Sequence, residues 1–287
     1  MIVTRFAPSP NGYLHLGHAY AAIAAHDFAR RHQGRFHLRI EDIDGTRSRA
    51  EFTQAILDDL IWLGLSWDGA PIMQSARVDS YNEALQNLRA HGLVYRCFCS
   101  RQEIWDAVRD KPVLHGPDGP IYPGICKVLP DDISEQRAMQ VPHQWRIDMA
   151  KACDRTEPLQ WHDLANGLQH GNPAQFGDVV LWRKDAPASY HLAATLDDAR
   201  DGITHVVRGR DLFAYSCVHS LLQVLLNLPQ PIYWHHPVVI NDDGEKLAKS
   251  RHSPSLMHRR LAGENGHLLA DAIRDGKLPH GLSMSGH

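Results

Sequence analysis

No apolar run in the sequence approaches the ~18 residues that a membrane-crossing helix needs. The opening Met1-Ile2-Val3-Thr4-Arg5-Phe6 lacks the basic-then-apolar order of an export signal, so a cytoplasmic setting is expected. Positive charge is not in excess: 30 Lys and Arg stand against 33 Asp and Glu, a net charge of −3. Any contact with nucleic acid must therefore come from a local patch and not from the field of the whole protein. Arg30, Arg31, Arg35 and Arg39 offer such a run, and a solvated helix end is the equal alternative. Cysteine is scarce and odd in number, five in 287 residues, which argues against a disulfide framework. No internal repeat or low-complexity tract is visible. What remains is a globular composition, 43% hydrophobic and 22% charged, long enough for one large domain or two modest ones.

Two short motifs carry the chemistry. Ile2–Phe6 reads as a buried strand, residues 7–12 as a breaker-rich turn, and Leu14–Arg30 as an alanine-rich helix. A strand, a tight turn and a helix start present free backbone N–H groups to an anion. His15-Leu16-Gly17-His18 lies at that helix start, where ring N–H groups can reach phosphate oxygens. Gly12 and Gly17 have Walker spacing, but His18 and Ala19 stand where that loop needs Lys and Ser or Thr, which argues against a P-loop NTPase. Near the other end, Lys246-Leu247-Ala248-Lys249-Ser250 places two ammonium groups on a loop.

Alternating strands and helices continue through Arg35–Ile40, Arg49–Leu63 and Val78–Ala90, the pattern of an open parallel α/β sheet. Residues 96–185 interrupt it with a Pro- and Gly-rich loop, Pro112–Pro123, and strands at Gln144–Ile147 and Val179–Arg183. The pattern resumes with a helix at Leu192–Arg200, a strand at Thr204–Val207, a helix at Asp211–Leu226 and a strand at Pro237–Ile240. Within the interruption, Cys97-Phe98-Cys99 brings two thiols together and Cys126 follows. Three thiolates need a fourth ligand for tetrahedral zinc, and His115 is the commoner ligand type nearby. Cys153 and Cys217 read as small buried residues.

The segment Arg5-Phe6-Ala7-Pro8-Ser9-Pro10-Asn11-Gly12-Tyr13-Leu14-His15-Leu16-Gly17-His18 resembles the opening of the class I glutamyl/glutaminyl-tRNA synthetases. Arg39-Ile40-Glu41-Asp42-Ile43-Asp44, Tyr190-His191-Leu192-Ala193, Asp197-Asp198 and Gly202–Gly209 are similar to further blocks, and Lys246–Ser250 to the KMSKS loop. The resemblance covers about residues 1–100 and 176–250.

It implies a Rossmann-type catalytic core in two halves, 1–95 and 186–250, an inserted zinc-containing, acceptor-facing subdomain at 96–185, and a tail at 251–287 too short for an anticodon-binding domain. Helices are expected near Ser255–Arg260 and His267–Ile273, then a mobile Gly/His-rich end. The implied reaction joins glutamate and ATP, with Mg²⁺, into an adenylate. His15, His18, Lys246 and Lys249 would act on the phosphates, and Arg5, Ser9, Glu41, Tyr190 and Arg208 would hold glutamate. Asp42 and Asp44 are assigned no ligand role. Tyr122 matches the fourth zinc ligand of a C-x-C…Y-x3-C subgroup, with Cys97, Cys99 and Cys126. A lone core with that pattern resembles those members that place glutamate on queuosine in the anticodon loop of tRNA(Asp). A monomer is expected. The rival readings are a compact synthetase charging the tRNA 3′ end and a silent, binding-only paralogue.

Overall fold

The structure is a computed structural model, and it describes residues 1–109, 115–116, 119–247 and 255–285. The first half begins with β1 (Val3–Phe6), α1 (Leu16–Arg31) and β2 (Arg35–Ile40). These lead to α2 (Ala50–Trp62), β3 (Ile72–Met73) and α3 (Val78–Ala90). Strands β1, β2 and β3 pair in parallel, in that order. Helix α1 lies against this sheet through Ala19, Ala22, Ala25 and Ala29, all fully buried. Their helical spacing puts a flat alanine face on the strands, so the backbones approach closely and the helix start is held over the strand ends.

Next come β4 (Val94–Cys97), α4 (Arg101–Val108), β5 (His115–Gly116), β6 (Gly119–Pro120) and α5 (Asp131–Ala138). They are followed by β7 (Gln144–Ile147), α6 (Met149–Asp154), β8 (Gln160–Asp163), β9 (Gly167–His170) and β10 (Val180–Trp182). β7 pairs antiparallel with both β4 and β10. The hairpin β8–β9 behaves differently. Although it falls inside 96–185, β8 runs parallel to β12 (Ile232–His236) of the second half, with Asp163 opposite Tyr233.

The second half contains α7 (Tyr190–Arg200), β11 (His205–Gly209), α8 (Ser216–Leu225), β12, and β13 (Val239–Asn241). β11 and β12 are parallel. The start of β11 joins β1, because Thr204 N donates to Val3 O at 3.0 Å. Strand order therefore reverses between β1 and β11, and a crevice opens beyond their carboxyl ends, where ligands of such sheets bind.

Three sequence expectations change here. The helix expected over Asp211–Leu226 is divided into a 3₁₀ turn, Arg210–Leu212, and α8. β12 was not expected, because the paired histidines His235-His236 interrupt its apolar pattern. The end of the chain was expected to be mobile. Instead, after α9 (Leu256–Leu261) and α10 (Gly266–Arg274), β14 (Leu282–Met284) pairs antiparallel with β13. Leu282 and Met284 pack on the main core, which supplies the reason. No helix among the described residues is long and apolar enough to cross a membrane.

Candidate active site

His15 is the N-cap of α1, in extended conformation, and forms a reciprocal pair with His18. Gly17 N donates to His15 Nδ1 at 3.1 Å, and His15 N donates to His18 Nδ1 at 3.2 Å. Both Nδ1 atoms therefore accept, which fixes the neutral tautomer: each ring carries its proton on Nε2. The cap thus leaves Nε2–H as the donor of each imidazole, at a helix N-terminus that lines a cavity. A Cβ on Gly17 would sit 3.0 Å from His15 Cε1 and 3.1 Å from its Nδ1, so the motif needs glycine there. Gly17→Ala is expected to lower turnover at least about tenfold by displacing the His15 ring, with a stability loss of only about 1 kcal/mol or less, since alanine favours helix. Steady-state kinetics beside thermal melting would check this.

The loop motif folds back on the same place. Ser255 bridges His15, and Leu256 N donates to Leu14 O at 2.8 Å. Lys246 forms an ion pair with Asp211, and Leu247 is buried in the core shared with α1. Lys249 lies outside the described residues. Around these groups is a cavity of about 630 Å³. His15, His18 and Lys246 line it, and so do Arg5, Ser9, Glu41, Tyr190 and Arg208. Residues separated by most of the chain share one chamber.

The two guanidinium groups in it are not equivalent. Arg5 is bound at 2.9 and 3.3 Å by both oxygens of Asp198, so its charge is already balanced. Arg208 is buried and has no carboxylate ion-pair partner among the described residues. Its donors go to neutral groups: Tyr190 Oη at 3.4 Å, His219 Nδ1 at 3.1 Å, Ser216 Oγ at 2.8 Å, Leu212 O at 3.2 Å and His235 Nε2 at 3.1 Å. A buried cation with neutral partners attracts an anion strongly.

Beneath the cavity lies a charge network that local sequence pattern does not reveal. Arg39 is fully buried. Its Nη2 stands 2.8 Å from Asp198 Oδ1, off the line of an N–H bond, and its Nη1 donates to Asp201 Oδ2 at 3.3 Å. Arg77 joins Asp197 and Asp201 at 2.8 and 2.6 Å, and Tyr81 and Gln74 also donate to Asp197. Arg39 therefore cannot belong to a surface patch, and Arg30 pairs with Asp68 at 2.8 Å; of that run only Arg31 and Arg35 are exposed. Burial pushes the Glu41 carboxyl up to about 7, against the pull of Arg39 and Arg5. Asp42 and Asp44 brace loops. Asp42 accepts from Ser75 N and Oγ, and Asp44 from Thr46, Arg47 and Arg183.

Away from the cavity, Cys97, Cys99 and Cys126 are buried with their sulfurs within 4.8 Å of one another. The Tyr122 hydroxyl is 3.5 Å from Cys99 Sγ and accepts from Cys126 N at 2.8 Å. Arg146 stacks 4.1 Å from the centre of the Tyr122 ring and orients it. Burial alone would raise the Cys97 thiol, but hydrogen bonds from Gln144, Tyr122 and Arg146 bring it down to about 7. A cluster of soft, ionisable sulfurs at this separation can hold a metal ion, since Zn–S bonds of about 2.3 Å fit between them with small shifts. The side chain of His115 lies outside the described residues. Cys217 is buried, Cys153 half-buried, and all five cysteines are free thiols.

The chain is similar to known proteins. The family model for the catalytic domain of class I tRNA synthetases (E and Q) matches residues 1–276. The chain belongs to that family. It is an aminoacyl-tRNA synthetase-like ligase. A relative named glutamyl-Q tRNA(Asp) synthetase, from Rhodobacter capsulatus, is 44% identical over 91% of this chain and 96% of its own length. Another of that name, from Symbiobacterium thermophilum, is 39% identical over 93% of this chain and 85% of its own. A solved glutamate-tRNA synthetase from Elizabethkingia anophelis superposes with a TM-score of 0.72 at 26% identity, over 87% of this chain. The chain spans about half of that longer protein, 52%.

Proposed function

We propose that this chain activates L-glutamate with ATP and transfers the glutamyl group to queuosine in the anticodon loop of tRNA(Asp). The observation that carries the first step is the shared cavity: phosphate-type donors at one end, and at the other a buried Arg208 without a carboxylate partner among the described residues. Glutamate's side-chain carboxylate pairs with Arg208, assisted by the Tyr190 hydroxyl, and its α-ammonium group faces Glu41. Arg5 and Ser9 complete that wall. The α-carboxylate oxygen then attacks the α-phosphorus of ATP, the bond to the bridging oxygen breaks, and pyrophosphate departs with the electron pair. Catalysis of this step is mainly positioning and charge stabilisation. His15 and His18 donate Nε2–H bonds to the α-phosphate as charge builds on it. Lys246 and Lys249 hold the departing phosphates, and Mg²⁺, when bound with ATP, screens their charge.

Glu41 gives this reading a pH signature. Its carboxyl is raised to about 7 by burial, and only the ionised form balances an ammonium group. Below that value the neutral acid predominates, so affinity falls as pH falls. KM for glutamate is expected to be about tenfold higher at pH 6 than at pH 8, and Glu41→Gln should flatten the profile. A wild-type KM that does not change across this range would contradict the role.

Transfer to RNA is supported by a second, larger cleft of about 1200 Å³ that meets the first at Tyr190. Arg47, Arg101, Arg146, Arg183 and Lys184 line it, with Asp44, Asp178 and Asp185 and with Cys99 and Tyr122 of the thiol cluster. Arg47 and Arg183 pair with Asp44 and Asp185, whereas Arg101 and Lys184 have no carboxylate partner among the described residues. Arg101 and Lys184 thus offer cations suited to phosphates beside the thiol cluster, where Cys97, Cys99, Cys126 and Tyr122 would hold zinc. Metal analysis is expected to find one zinc ion per chain, reduced at least about tenfold by Cys126→Ser with loss of transfer to RNA.

The whole reading is tested in two stages. ATP–pyrophosphate exchange should require glutamate and proceed without RNA; its absence would favour the binding-only paralogue. Nucleoside mass spectrometry of tRNA(Asp) should then find glutamate on queuosine, and periodate cleavage of the queuosine diol should block acceptance. Glutamate on the 3′ adenosine would identify a compact charging enzyme.

A further inference from the structure

Behind Arg208 runs a line of buried polar groups that touches neither ATP nor glutamate in the scheme above. Arg208 Nε donates to His235 Nε2 at 3.1 Å, and His235 Nδ1 lies 2.7 Å from Asp163 Oδ2. The side chains of His235 and Asp163 are both 0% exposed. The other oxygen of Asp163 is fixed by Ala165 N, Asn166 N and Asn166 Nδ2, at 3.0, 3.0 and 2.7 Å. An ionised carboxylate can only accept, so His235 carries its proton on Nδ1 and presents a lone pair at Nε2. A guanidinium Nε–H can only donate, so the lone pair and the N–H match.

The position of the carboxylate matters. Asp198 binds Arg5 directly and balances its charge. Asp163 stands one imidazole away from Arg208, so it orients that group while leaving the charge available to a ligand. The imidazoles around Arg208 stay neutral. Burial and the Arg208 charge press His235 down to about 4 and His219 well below its usual range.

The geometry points to Asp163 and His235 as positioning residues. Through the His235 tautomer, Asp163 holds Arg208 in the orientation that reads the substrate's side-chain carboxylate, and so sets the preference for an anionic over a neutral side chain. This inference rests on the glutamate-binding role given to Arg208 above. Asp163 reaches the site only because β8 joins the second-half sheet beside β12.

The test exploits proton direction. Asp163→Asn keeps the shape and the bonds to Ala165 and Asn166 but turns an amide N–H₂ toward Nδ1, and also toward the His235 backbone N–H that donates to Asp163 Oδ2 at 3.3 Å. His235 must then move its proton to Nε2, where it opposes Arg208 Nε–H and can turn only to Ser216 Oγ, at 3.1 Å, which also accepts from Arg208 Nη2. KM for glutamate is expected to rise at least about tenfold, KM for ATP to stay within about twofold, and discrimination against glutamine to fall. His235→Gln offers a carbonyl oxygen near the Nε2 position whatever residue stands at 163. The double variant D163N/H235Q should therefore show a KM for glutamate within about twofold of H235Q alone, whatever the lost backbone bond at residue 235 does to its melting temperature. Losses that accumulate in the double variant, or that move KM for ATP and the melting temperature in step, would overturn the proposal. So would D163N kinetics within twofold of wild type. Nitrogen-15 spectra of the wild type add a readout that needs no variant to fold: an Nδ1–H tautomer at His235 supports the relay, and an Nε2–H tautomer overturns it. Should the wild type show no glutamate-dependent exchange, the specificity role fails with the function it rests on, while the spectra still report on the relay itself.

Discussion

Replacing His18 by alanine is expected to lower kcat for glutamate-dependent exchange by about 10²–10³-fold, with KM for glutamate changed by less than about threefold. Losing one preorganised donor to a charge that develops in the transition state has effects of this size. The glutamate wall of the cavity is built by other residues, so ground-state binding should survive. His18 also has a structural duty, since its Nδ1 accepts from His15 N. The two duties separate by substitution. In His18→Asn the amide oxygen can take over the Nδ1 position and keep the cap, but nothing replaces the Nε2 donor. That variant should melt near the wild type yet turn over as slowly as His18→Ala. A fully active His18→Asn would mean the ring matters only for the cap.

Replacing Arg39 by methionine should be among the most destabilising single changes in the protein, at about 3–5 kcal/mol in denaturant unfolding. The change leaves Asp197, Asp198 and Asp201 buried around an apolar side chain, and an uncompensated buried charge is costly. The sign with pH follows from Asp198, whose carboxyl Arg5 and Arg39 hold below its ordinary value although burial alone would raise it. A depressed carboxylate contributes stability above its unfolded pKa of about 3.9 and loses it as pH falls through the lower folded value. The gap between wild type and variant should therefore be full at neutral pH and shrink below about pH 4. An equal gap at pH 3 and pH 7 would point to packing alone.

The elements that the sequence made legible share a property: local periodicity decided them. β2 over 35–40, α3 over 78–90 and β7 over 144–147 occur at the expected residues. Apolar spacing and turn residues there agree with the tertiary burial. The cavity was legible for a different reason. Pattern alone located the helix start at His15, whereas Glu41, Tyr190 and Arg208 were legible only through the resemblance to the class I glutamyl/glutaminyl-tRNA synthetases; all of them meet in one cavity. What escaped was whatever depends on partners distant in the chain. Asp163 looks like one surface acid among many until β8 pairs with β12, and His235 hid a strand by breaking its apolar run. Arg39 looked like part of a basic surface run, because nothing local shows that Asp197, Asp198 and Asp201 come to it across the sheet. The end of the chain looked mobile from its glycines and histidines, yet Leu282 and Met284 supply the alternation that lets β14 pair with β13.

The most direct measurement is a structure of the chain with a sulfamoyl analogue of glutamyl-adenylate. The account predicts the glutamyl side-chain carboxylate within about 3.2 Å of Arg208 nitrogens, the amine beside Glu41, and the sulfamoyl group beside the Nε2 atoms of His15 and His18. An analogue bound outside this cavity, or one whose side-chain carboxylate rests on a different cation, would contradict it.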